Sequence, residues 1–123
     1  MKNFKNLKVW QQGICLVSQV YELAKLLPSE EKYGLYSQIT RAAVSIPSNV
    51  AEGCSRSSKK DFHRFVEIAL GSSFELETLL FIMQELNYSD KRSLKEIMSH
   101  LEEEQKMLQG LMKSLKKDLV LSS

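Results

Sequence analysis

A chain of 123 residues, 43% hydrophobic and 26% charged, has the size and composition of one globular domain, taken here as residues 1–123. Its 17 Lys and Arg against 15 Asp and Glu leave a net charge of +2, so there is no global signature of nucleic-acid binding and any electrostatic argument must be local. The N-terminal "MKNFKNLKVWQQGICLV" sets Trp10, Gln11 and Gln12 inside its apolar run, which fits neither a secretory signal nor a membrane span; a cytoplasmic location without membrane contact is the expectation.

Helical periodicity runs through the chain in four segments. In the first, residues 4–27, Leu7, Trp10, Ile14, Val17, Tyr21 and Ala24 recur at steps of three and four, the repeat of one helix face, and Pro28 ends the run. Pro28 and Ser29 followed by Glu30 and Glu31 read as the cap and acidic first turn of a second helix, 30–53, with Leu35, Ile39, Ala43, Ile46 and Val50 inward and Gly53 as its stop. Pro47 falls inside that helix and predicts a kink between Ala43 and Pro47.

Ser58 caps a third segment, 58–87, with Asp61 three residues on and Phe62, Phe65, Val66, Ala69, Ser73, Leu76, Leu80 and Met83 in helical register. Ser89 or Asp90 opens a fourth, 90–118, lined by Leu94, Ile97, Met98, Leu101, Leu108, Leu111, Met112 and Leu115. Short turns between long helices make neighbours antiparallel, so the predicted architecture is an all-α, up-down-up-down antiparallel four-helix bundle.

No residue set for catalysis, metal or cofactor emerges from the spacing. Cys15 and Cys54 lack C-x-x-C spacing and are expected as buried or half-buried free thiols. His63 with Glu67 and Glu96 with His100 do not fit the Glu-x-x-His pairs of di-iron bundles and read as solvated helix-face pairs. One alternative is an enzyme: Arg56 and His63, six residues apart in between, resemble the loose R-x(4-6)-H signature of the HEPN nucleases, in which the histidine would move protons and the arginine would stabilise phosphate charge. A second alternative is a purely structural protein-interaction module.

Trp10, Tyr21, "EKYGL" (Glu31 to Leu35), the block from Gln38 to Gly53 containing "RAAVSIPSNVAEG", the looser "FVEIALGS" (Phe65 to Ser72) and "ELE" (Glu75 to Glu77) together resemble the bacterial proteins encoded in 23S ribosomal RNA intervening sequences. The accessory variability protein of diversity-generating retroelements is similar to the same family. The resemblance covers about Leu7 to Tyr88 and implies a homopentameric bundle without enzymatic activity. In the retroelement branch it also implies basic surface that engages nucleic acid and a reverse transcriptase as protein partner. This sequence departs at Thr40, where such proteins often carry a second basic residue beside Arg41.

Two groups of residues remain as candidate sites. Arg41, Ser45, Asn49 and Glu52, at steps of four, four and three, fall along one stripe of the second helix, where they would form a polar network or subunit interface with Glu75 and Glu77. Arg56, Lys59, Lys60 and Arg64 face a single acid, Asp61, a local excess of three charges beside a helix N-terminus; Lys2, Lys5 and Lys8 add to it. A five-membered ring would carry that excess of three as a belt of fifteen, against which "EEEQK" at Glu102 to Lys106 is expected to supply compensating negative surface. The expectation is therefore a non-enzymatic homo-oligomeric binding or scaffold protein with weak, charge-based affinity for RNA or DNA.

Overall fold

The structure, a computed structural model, describes residues 3–122. Four α-helices, α1 (Lys8–Ala24), α2 (Leu35–Cys54), α3 (Lys59–Glu85) and α4 (Lys91–Ser122), are joined by short turns, and single 3-10 turns at Phe4–Asn6 and Ser29–Glu31 precede α1 and α2. Each helix packs on two neighbours in a closed square, α1 and α3 both against α2 and α4. This is the expected all-α four-helix bundle. Among the described residues no helix is long and apolar enough to cross a membrane.

The helix ends correct several expectations, each for a local reason. The chain does not enter α1 at Phe4: Asn3 accepts the Lys5 amide and Leu7 is extended, so a separate turn precedes the helix. The acidic turn after Pro28 likewise closes on itself, and α2 begins at Leu35, whose amide donates to Glu31 Oε1 at 3.2 Å. The α3 start is as expected, with Ser58 Oγ accepting the Asp61 amide at 3.1 Å. Its end is a left-handed cap, Asn87 at φ 58°, with the Tyr88 amide donating back to the Met83 carbonyl. Of the two candidate caps for α4, Asp90 is the one used: its Oδ1 accepts the Ser93 amide at 2.8 Å, and that bond holds the carboxyl below its ordinary range.

One further correction concerns α2. It keeps Pro47 inside the helix, as expected, and runs on past Gly53 to Cys54. Gly53 is not a stop but a contact point: a Cβ there would sit 2.8 Å from a ring carbon of Phe62 and 2.9 Å from Phe65 Cβ, so only glycine lets α2 and α3 approach this closely.

The inward faces of α2, α3 and α4 are those the periodicity selects, with Ile39, Ile46, Val50, Leu76, Leu80, Met83, Leu101 and Leu108 fully buried. Each such side chain stabilises the bundle by roughly 1.5–3 kcal/mol relative to exposure. For α1 the register is different. The core takes Val9, Gly13, Leu16, Val20 and Leu23 together with the expected Ala24, the expected Leu7, Trp10 and Val17 pack half-buried against it, and Ile14 and Tyr21 lie on the outside. Two apolar stripes run side by side on this helix, and the neighbouring helices bury the Val9, Leu16, Val20 and Leu23 stripe most deeply.

Candidate nucleic-acid interface

The polar stripe of α2 divides into separate arrangements. Ser45 Oγ lies 2.8 Å from Ser72 Oγ on α3, and Asn49 Nδ2 donates both to the Ser45 carbonyl (2.8 Å) and to Ser45 Oγ (2.9 Å). This small network fastens α2 to α3 through half-buried groups, one of the roles expected of it. Glu52 turns away and pairs with Arg56 at 3.0 Å. Arg41 shares a groove of about 350 Å³ with Gln38, Ala42, Ser45 and Glu75, open to solvent on the α2–α3 side. Glu77 does not join the stripe: two residues beyond Glu75 on a helix it points elsewhere, and it accepts from Gln105 Nε2 of α4 at 2.8 Å.

The acidic run on α4 is only partly surface. Glu102 pairs with Lys106, but Glu104 is completely buried. Neither of its carboxyl oxygens has a hydrogen-bond partner among the described residues, and desolvation pushes its pKa up to about 8. A Cβ on Gly13 would lie 3.0 Å from Glu104 Oε2 and 3.2 Å from Pro47 Cβ, which places this carboxyl between α1 and α2. Sequence reading missed it because it counted an acidic run as solvated; the signal present was its register, three residues after Leu101 and four before Leu108.

The histidines and cysteines are also placed differently. His100 does not pair with Glu96; its Nδ1 meets the side-chain amide of Gln19 on α1, at 2.8 Å from Nε2 and 3.0 Å from Oε1. His63 is half-buried and makes no hydrogen bond with Glu67 among the described residues. Cys54 is buried, but Cys15 is exposed, contrary to expectation, because it sits on the outer side of α1. Among the described residues no three His, Cys, Asp or Glu side chains converge as a metal site.

The basic residues gain most from the tertiary structure. Antiparallel packing brings the start of α1, the end of α2, the start of α3 and the end of α4 to one end of the bundle. There Leu7, Cys54, Arg56, Ser57, Ser58, Lys59, Phe62, Leu111, Ser114, Leu115 and Asp118 line a single cleft of about 270 Å³. Three basic segments far apart in sequence thus lie toward the same end, Lys5 and Lys8, then Arg56, Lys59, Lys60 and Arg64, and finally Lys113, Lys116 and Lys117 of α4, with Arg56 and Lys59 in the cleft itself. The α4 lysines were not singled out from sequence, since only the bundle topology carries them to the others. Lys2 lies outside the described residues.

Two of the expected cations are engaged. Arg56 pairs with Glu52 and lays its guanidinium over the Phe65 ring at 4.7 Å; Lys59 Nζ pairs with Asp118 at 3.2 Å. All four partners are substantially exposed, and such pairs are worth about 0–1 kcal/mol, so an incoming phosphate competes for them readily. Lys60 and Arg64 form no ion pair among the described residues. His63 lines neither of the two clefts that Arg56 borders. Thr40 is buried, with Oγ1 donating to the Tyr36 carbonyl at 2.8 Å, and its departure from a basic residue takes nothing from this exposed surface.

Comparison with known proteins agrees with this fold. A model of the 23S rRNA-intervening sequence protein family matches residues 5–110. Among solved structures the chain is similar to a Bacteroides thetaiotaomicron VPI-5482 protein of unknown function from the S23 ribosomal protein family, at 26% identity and a TM-score of 0.79, covering 85% of this chain and 95% of that one. No curated protein matches. The matched span starts in the first 3-10 turn and reaches well into α4, and the chain belongs to the 23S rRNA-intervening sequence protein family.

Proposed function

We propose that this protein is a non-enzymatic, homo-oligomeric binding protein that engages nucleic acid through the basic end of its bundle. The observation that carries the reading is that the helix order places Lys5, Lys8, Arg56, Lys59, Lys60, Arg64, Lys113, Lys116 and Lys117 toward one end of the bundle, where Glu52, Asp61, Glu67 and Asp118 are the nearby acids in the same segments. Clustered cations bind the phosphate backbone without reading sequence, and a ring of subunits multiplies the effect. The exposed Arg56–Glu52 pair leaves Arg56 available to an incoming phosphate, which supports the binding reading. The test is a gel shift with RNA at two salt concentrations, run beside His63→Ala and a triple Lys113→Glu, Lys116→Glu, Lys117→Glu variant. The reading expects a shift that fades with salt, is lost in the triple variant and survives His63→Ala without RNA cleavage; a shift indifferent to salt and to the triple variant would sink it.

Self-association has its own support. Phe74 and Phe81 stand 47% and 50% exposed, one heptad apart on the outer face of α3, and Ile14 and Tyr21 are similarly open on α1. Rings this accessible on a helix already buried along its other side suit contact with further copies, with five as the number the family resemblance implies. Light scattering for absolute mass tests this, and a monomer at all concentrations would refute it.

A further inference from the structure

The basic end is not a flat charged surface. Leu7, Phe62, Leu111 and Leu115 line the cleft at its centre, drawn from the turn before α1, from α3 and from α4, and Arg56 and Lys59 stand on its rim. Its volume of about 270 Å³ is just below the roughly 300–1,000 Å³ of pockets that hold drug-sized ligands, which suits one planar ring system. Phosphate-binding groups around an apolar, partly aromatic recess match the two halves of a nucleotide: the backbone on the cations and the first-turn amides of α3, the base against Phe62 and the leucines.

We propose that this cleft receives one unpaired base of a single-stranded nucleic acid, making the protein selective for single strands over duplexes. The proposal rests on the nucleic-acid reading above and deepens it. A base inside a duplex is stacked and unavailable, whereas an unpaired base enters while its flanking phosphates reach Arg56 and Lys59. Asp118 opposes phosphate at the same rim, so Asp118→Asn should tighten binding of every strand, paired or not.

The decisive measurement is fluorescence anisotropy with three labelled probes of equal length: a single-stranded RNA, its duplex, and an abasic strand that keeps the phosphates and lacks the bases. The wild-type protein is expected to bind the base-bearing single strand about tenfold or more tighter than the other two. Ser114→Trp, which fills the cleft mouth from an exposed position without changing charge, should erase that advantage and leave abasic binding as it was. Equal affinity for all three probes, or a preference that persists in a folded Ser114→Trp protein, overturns the base-binding cleft while charge-based binding stands. No binding of any probe overturns both. Should Ser114→Trp fail to fold, the comparison of base-bearing and abasic strands on the wild-type protein still decides.

Discussion

Glu104 is the residue whose chemistry departs furthest from its ordinary state. It is fully buried, its carboxyl has no partner among the described residues, and the buried residues of α1, α2 and α3 include no carboxylate, histidine, lysine or arginine, Cys54 at the far end of α2 being their one titratable group. Pro47 beside it has no N–H to give the Ala43 carbonyl, so that acceptor on α2 also lacks its helical donor. Desolvation therefore acts unopposed and holds the acid neutral up to about pH 8, against 4.5 when exposed. Between those values the folded chain keeps a proton that the unfolded chain has lost, so stability is full below about pH 4.5 and falls as pH rises through about 8. The expected slope from this group is at most about 1.4 kcal/mol per pH unit within that window. Urea unfolding at several pH values should show this decline in the wild type and a flatter profile in Glu104→Gln; identical profiles would remove the assignment.

Elements are held by contacts whose strength differs in ways that substitutions can separate. Gly53→Ala drives a methyl into Phe62 and Phe65 at the α2–α3 contact and should cost about 1–3 kcal/mol by overpacking. Gly71 and Gly110 meet nothing within 4 Å, so alanine there should stabilise α3 and α4 by about 0.5–1 kcal/mol each. Thermal melts of the three variants check both signs at once. Asp90→Ala removes the carboxylate that accepts the Ser93 amide, and α4 should lose about 1 kcal/mol as its first turn frays. Hydrogen exchange confined to residues near 91–94 would localise that loss to the start of the helix.

At the scale of the whole molecule, the near-zero net charge conceals a polarised bundle. Lysines and arginines from three stretches of sequence lie toward one end, whereas at the other Glu30, Glu31, Glu85 and Asp90 are matched by Lys25, Lys32, Lys91 and Arg92 in or beside the same turns. A local excess of cations at one end steers a polyanion there even when the total is only +2. If binding follows this geometry, each lysine removed from Lys113, Lys116 and Lys117 that contacts a phosphate should lower the log-log salt slope for a single strand by about 0.7. Thermal stability of those exposed-site variants should change little, by less than about 0.5 kcal/mol each. Equilibrium titrations over a salt series, set beside melts, separate the two effects.

The sequence by itself determined the number and type of helices, the inward faces of α2, α3 and α4, and the Ser58 cap, because periodicity and capping are local properties of a few turns. The Asn49–Ser45 bonds lie along one helix at four-residue spacing, whereas the Ser72 partner of Ser45 is supplied by α3. What only the tertiary structure decided depended on partners distant in the chain. Two apolar stripes on α1 satisfy the same period, and the choice of Val9, Leu16 and Val20 over Ile14 and Tyr21 was made by α2 and α4. Glu104 and Glu102 look alike in a charged run; one is neutral and buried because α1 opens a space at Gly13, the other remains in water beside Lys106. The basic end is the same kind of fact, since Lys5, Lys59 and Lys116 come to the same end of the molecule only once four antiparallel helices return the chain there.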